Sequence, residues 1–209
     1  MSKYRLSLAV AALVGAGIST IYAADPKAAG ANPTFANPDT PGLLEGNPAP
    51  DVANVTDVVF LKQIAIGGKA EVDLGKLAVE RNAAAGVESF AQRMIKDHDQ
   101  ANAKVATLAR SARVDLPREL DAEHKAARDE LSALRGTEFD LKYIDAQIKD
   151  HQKAVQLLVH EIGSGQHAGV RELAANTLPG VLEHLEMARA LHDQLIAAAE
   201  PRRAAAASR

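Results

Sequence analysis

From Thr56 onward, apolar residues recur at alternating steps of three and four, the spacing that lines one face of an α-helix. Four long segments carry the pattern. The first, about 57–85, has the stripe Phe60, Ile64, Gly67, Glu71, Leu74 and Ala78, with Thr56 as the expected N-cap and Gly86 as the stop. Gly67-Gly68 inside it predicts a bend or local unwinding. The second, about 87–113, reads Val87, Ala91, Met94, His98, Ala101, Val105, Leu108 and ends before Asp115-Leu116-Pro117. A shorter helix over about 121–134 bridges to Gly136.

The third segment starts after Thr137, whose Asp140 makes a capping-box-like pair, and stops at Gly163-Ser164-Gly165. Its seam is Ile144, Ile148, His151, Val155, Leu158 and Ile162. The fourth, about 167–199, reads Val170, Ala174, Thr177, Val181, His184, Ala188, Leu191, Leu195, with a kink predicted at Pro179-Gly180. No convincing strand alternation occurs anywhere. An all-α four-helix bundle over 56–199 follows, with two short antiparallel turns and a short extra helix in the middle connection. That connection fits a ferritin-like crossover, a plain up-and-down bundle being the alternative.

The residues before the bundle read differently. Lys3 and Arg5 precede an apolar run, Leu6–Ile18, and Ala23-Ala24 supply small residues for cleavage, so 1–24 is expected to be a secretory signal peptide. An uncleaved anchor is the minor alternative, because that run is shorter than the roughly twenty residues of a bilayer span. Six of the nine prolines fall between Asp25 and Val55, and 25–55 is expected to be a disordered spacer. The basic end, 200–209, is expected to fray. Export to the periplasm, the outer membrane or the medium follows from the signal.

Composition narrows the chemistry. With no cysteine, disulfides, thiolate catalysis and cysteine zinc sites are excluded. Without Lys3 and Arg5, 22 basic side chains face 27 acidic ones, a net charge of −5, and no basic patch suggests nucleic acid. No transmembrane helix is expected in the mature chain, and its partner is an unidentified envelope protein or surface.

Each of the last three long seams is interrupted by a histidine, and the first by Glu71. Taken along the helices, Glu71 lies roughly 22 Å and His98 roughly 18 Å from Gly86, heights that agree within a turn. His151 lies roughly 20 Å before its turn and His184 roughly 28 Å after it, a mismatch unless the Pro179-Gly180 kink shortens the last segment. The expected site is therefore a mid-bundle layer of Glu71, His98, His151 and His184 holding one divalent transition-metal ion such as zinc, copper or iron. Asp97, Asp150 and Glu183, each just before a histidine, are placed to accept hydrogen bonds from a neighbouring helix's imidazole. The competing reading is a packing layer that fixes helix register without metal. His124, His160, His167 and His192 read as ordinary surface or core residues.

The ordered landmarks AEVDLGKLA (70–78), FAQRMIKDH (90–98), LPREL (116–120), FDLKYI (139–144), DH (150–151) and TLPGVLEHLEMA (177–188) carry a resemblance. They resemble the bacterial envelope family known only as domain of unknown function 4142, often described as outer membrane proteins. The resemblance covers about Thr56 to Leu195 and implies a ferritin-like four-helix fold and an exported location. It implies no activity. Ferritin-like proteins often bind two metal ions through Glu-x-x-His on two helices. Here Ile95, Ile148 and Val181 stand three residues before the histidines, which argues against ferroxidase, oxygenase and manganese-catalase chemistry. Three readings follow: a non-catalytic metal-binding module, a structural or interaction protein of the envelope, and, ranked last for want of a visible substrate pocket, a small metalloenzyme.

Overall fold

The computed structural model describes residues 51–81 and 83–207, with side chains to 199. The expected signal peptide and nearly all of the spacer lie outside the described residues. Five helices follow one another: α1 (Val55–Glu80), α2 (Ala85–Ser111), α3 (Ala122–Ala133), α4 (Gly136–Ser164) and α5 (Ala168–Ala207). No strand occurs among the described residues.

α1 begins two residues earlier than Thr56 would place it. Asn54 is the N-cap: its side chain accepts from the Asp57 N–H at 2.9 Å, and the Asp57 carboxylate accepts from the Asn54 N–H at 2.6 Å. This reciprocal pair satisfies two otherwise orphaned donors. α1 then runs unbroken through Gly67-Gly68, so the predicted unwinding does not occur. Gly68 serves close approach instead, as does Gly75. A Cβ on Gly68 would lie 2.1 Å from Asn102 Oδ1, and one on Gly75 would lie 2.8 Å from Ile95 Cγ1 and 3.1 Å from the Ala91 carbonyl. α5 likewise continues through Pro179-Gly180, and it extends helically to Ala207 through the segment expected to fray.

Two contacts fix the topology. Asp140 Oδ1 accepts from the Ala84 N–H at 3.3 Å, bringing the starts of α2 and α4 to one end. Asp140 therefore secures the neighbouring helix start, not its own. At the other end, the Asp57 carboxylate accepts from the Gln166 and His167 N–H groups, each at 3.1 Å, joining the start of α1 to the α4–α5 turn. α2 and α4 consequently run the same way, and the chain between them must travel the length of the bundle. This is the ferritin-like crossover. It is pinned by Arg128 to Asp73 at 2.6 Å, by Lys149 to Glu123 at 2.9 Å, and by Arg81 donating to the Ser132 carbonyl.

The core has two apolar clusters. One, toward the α1–α2 turn, holds Phe90, Phe139, Tyr143, Met94, Leu74 and Val87. The other, toward the α4–α5 turn, holds Phe60, Leu61, Val105, Leu158, Val170 and Val181. Glu161 is buried at that second end beside Asp57. Burial first, and then the nearby carboxylate of Asp57, push its carboxyl up to about 8, against a weaker opposing pull from Arg171.

Gly75→Ala forces a methyl group against the Ala91 backbone, which has little freedom to retreat, and is expected to destabilise the fold by about 1–3 kcal/mol; urea denaturation measures it. Glu161 is protonated when folded and ionised when unfolded between pH 4.5 and about 8, so its contribution is complete below pH 4.5 and is lost as pH rises toward about 8. Glu161→Gln, facing the same Asp57 and Arg171, is expected to flatten this loss. Melting temperatures of the two proteins should diverge from pH 5 to pH 8, by roughly 2–4 °C for each kcal/mol recovered.

Candidate metal centre

His98 on α2, His151 on α4 and His184 on α5 meet in mid-bundle. Their ring centroids are 5.6 Å (His98–His151), 5.6 Å (His98–His184) and 5.4 Å (His151–His184) apart. One ring nitrogen from each can be chosen so that all three lie within 4.8 Å of one another. The height mismatch foreseen for His184 disappears without any break in the helix. The α4–α5 turn occupies 165–167, so His151 lies roughly 20 Å before the end of α4 and His184 roughly 24 Å after the start of α5.

Hydrogen bonds at the outer ring edges fix which nitrogens face inward. His151 Nδ1 lies 2.9 Å from the Gln147 carbonyl, which can only accept, so Nδ1 carries the proton and Nε2 keeps its lone pair. His184 Nε2 lies 3.0 Å from Asp97 Oδ2 and donates to that carboxylate, leaving Nδ1 with the lone pair. His151 Nε2, His184 Nδ1 and His98 Nε2 are all buried with no protein partner. Three unpaired buried nitrogens in one place are an unusual expense for a folded protein.

The carboxylates expected behind the ligands take different places. Asp97 receives the His184 imidazole and also pairs with Arg93, which reaches Glu183 at 3.3 Å. Burial would raise the Asp97 carboxyl, but the hydrogen bonds from Arg93 and His184 outweigh it and hold it below the ordinary value. Glu183 is an exposed surface partner of Arg93 and meets no imidazole. Asp150 lies 3.8 Å from Lys153 and makes no hydrogen bond to a ring.

Glu71 is not one of the converging groups. Its Oε1 is 3.8 Å from His151 Nδ1, the nitrogen turned away from the cluster, and its Oε2 accepts from Gln147 Nε2 at 2.6 Å. The sequence estimate placed it at the level of His98 by taking Gly86 as the turn. The turn actually follows Glu80, so Glu71 lies only roughly 13 Å from it while His98 lies roughly 20 Å from the start of α2. Gln147, one turn before His151, escaped the sequence reading because a polar residue beside Ile148 looks solvent-facing; it is fully buried.

Burial dominates the acid–base behaviour of the layer. Desolvation, reinforced by the neighbouring His151 and His184, pushes His98 down to about 3. Desolvation also lowers His151 and His184, against opposing pulls that include the Gln147 carbonyl and Asp97 respectively. Desolvation pushes Glu71 up to about 8. All three imidazoles are therefore neutral near pH 7, the form that binds metal.

The three histidines also form one wall of a cavity of about 530 Å³ that reaches toward the α4–α5 end. Phe60, Ile64, Val105, Leu157, Leu173 and Val181 supply much of its surface. The cavity has no signature in the sequence, since a helical period of apolar residues predicts a face and not how completely that face is filled.

A four-helix bundle with one long crossover and a buried mid-bundle histidine cluster defines a ferritin-like helical protein. The chain belongs to the family described as Domain of unknown function (DUF4142), whose family model matches residues 44–191. No curated protein matches it. Among solved structures, the crystal structure of a DUF305 fragment from Deinococcus radiodurans is similar, with a TM-score of 0.62 and 16% identity over 68% of this chain and 99% of that one. At that identity the likeness is one of fold. No helix among the described residues is long and apolar enough to cross a membrane.

Proposed function

We propose that this bundle binds a single divalent transition-metal ion between His98, His151 and His184 and serves as a metal-binding or metal-buffering protein. One observation carries the reading: three neutral imidazoles, His151 and His184 buried and His98 half-buried, each hold an unpaired buried nitrogen, and one ring nitrogen from each lies within 4.8 Å of the other two. Neutral nitrogen ligands suit zinc, copper or iron. Tetrahedral binding at about 2.0–2.1 Å would bring those nitrogens to about 3.4 Å from one another, a small inward turn of the rings. Asp97 and the Gln147 carbonyl hold two of the rings by their outer nitrogens, the usual arrangement behind a metal-ligating histidine. Glu71 supports Gln147 and is not a ligand in this reading. Export belongs to the same proposal and rests on Lys3, Arg5 and the apolar run that follows.

The tag-free chain, supplied with zinc, copper or iron and passed through a desalting column, is expected to retain close to one ion when measured by mass spectrometry. His98→Ala/His151→Ala should retain none. At a free-ion concentration a hundred times Kd, the wild type should gain about 2.7 kcal/mol. A folded wild type that retains no metal and whose melting temperature ignores chelator would overturn the proposal and leave a packing layer. Asp97→Ala is expected to keep the stoichiometry at saturation while weakening the ion by about 10–100-fold in a competition titration. Unchanged affinity would show that Asp97 does not act through His184.

A further inference from the structure

The cavity of about 530 Å³ bordered by the histidine cluster is within the range of roughly 300–1,000 Å³ typical of small-molecule sites. Its walls are unequal. At one end stand the three imidazoles. Away from them apolar side chains from four helices, Phe60, Ile64, Val105, Leu157, Leu173 and Val181, share the surface with polar and charged ones that include Glu71, Asp121, Glu123, Asp150 and Lys153. Exposed side chains such as Gln100, Lys104 and Asn176 also border it, so it reaches the surface.

The charges select the ligand's head group. Three imidazoles bring no charge to a dication, and the carboxylates that border the cavity already have partners: Asp97 pairs with Arg93, Asp121 with His124, Glu123 and Asp150 with Lys153, and Glu71 accepts from Gln147. Three nitrogen ligands also leave a tetrahedral ion one position short, and all three histidines line the cavity. A donor entering there gains most if it carries negative charge, and the apolar walls reward a hydrocarbon body behind it.

We infer that the cavity is a binding site for a small organic monoanion with an apolar body, such as a medium-chain carboxylate, whose head group completes the metal's coordination. This rests on the metal reading above and deepens it. No bond in the ligand is made or broken.

The test titrates the zinc-loaded full chain with octanoate by isothermal calorimetry, with zinc content measured in parallel. One octanoate per chain is expected. Acetate, which shares the head but lacks the body, should bind at least tenfold more weakly, as should octanoate to the metal-free chain. Val105→Phe and Leu157→Phe, prepared separately, narrow the cavity about two turns from the nearest histidine in sequence. Each should weaken octanoate at least tenfold while zinc content stays near one. A zinc-loaded chain that does not bind octanoate, or binds it equally in both variants, overturns this inference and leaves the metal reading standing. A chain that retains no zinc overturns the metal reading, and with it the head-group assignment, whatever octanoate does.

Discussion

Burying polar rings in an apolar core costs free energy unless their nitrogens are satisfied, and that requirement shapes the middle of this bundle. His184 has Asp97 behind it, and His151 has the Gln147 carbonyl. Gln147 in turn donates its amide to Glu71, so a chain of contacts runs from α1 through α4 to the cluster. Each outer contact fixes a tautomer, and each tautomer leaves an inward lone pair. The same interactions that make the layer tolerable in a folded chain therefore make it suitable for a cation.

The crossover decides which helices can meet there. Because α2 and α4 start at the same end, they lie diagonally across the bundle, with α1 and α5 on the other diagonal. A histidine on α5 can then stand between one on α2 and one on α4 at a common height. The two ends of the core differ for a compositional reason. The chain has only seven aromatic residues of phenylalanine and tyrosine type. Phe90, Phe139 and Tyr143 are spent together near the α1–α2 turn, where Phe139 and Tyr143 stack at 6.0 Å and Phe90 meets Tyr143 edge-on at 6.4 Å. The other cluster has Phe60 alone among aliphatic and small side chains. Four helices held apart at mid-height by imidazoles are not filled by such residues, and the cavity lies on that side.

Most of the fold was legible because its helices are long and their apolar periods regular. The three histidines were legible for the same reason: each interrupts a seam whose neighbours fix its direction. What misled was polarity and the position of turns. Gln147 and Glu161 are buried on the same face of α4 as His151, but a glutamine and a glutamate are normally read as surface, which shifted the predicted seam to Ile148, Val155 and Ile162. Placing the first turn at Gly86, when α1 ends at Glu80, moved Glu71 into a layer it only flanks. Glycine misled in a similar way. Gly67-Gly68 signalled bending, whereas the missing side chains of Gly68 and Gly75 let α2 press against α1 at Asn102 and Ile95.

The positions three residues before the histidines bear on how many ions such a layer suits. In a Glu-x-x-His arrangement those positions supply carboxylates that bridge a pair of metals. Here Ile95 packs onto Gly75, Ile148 packs on the aromatic cluster, and Val181 is buried in the opposite one. All three are committed to holding helices together. The acidic residue that does approach, Asp97, sits one position before His98 and therefore points about 100° around α2, toward the outer nitrogen of His184. A carboxylate in that place orients a ligand without becoming one. The layer thus offers nitrogen donors that suit one cation, and apolar side chains stand where Glu-x-x-His would put the carboxylates that bridge a second.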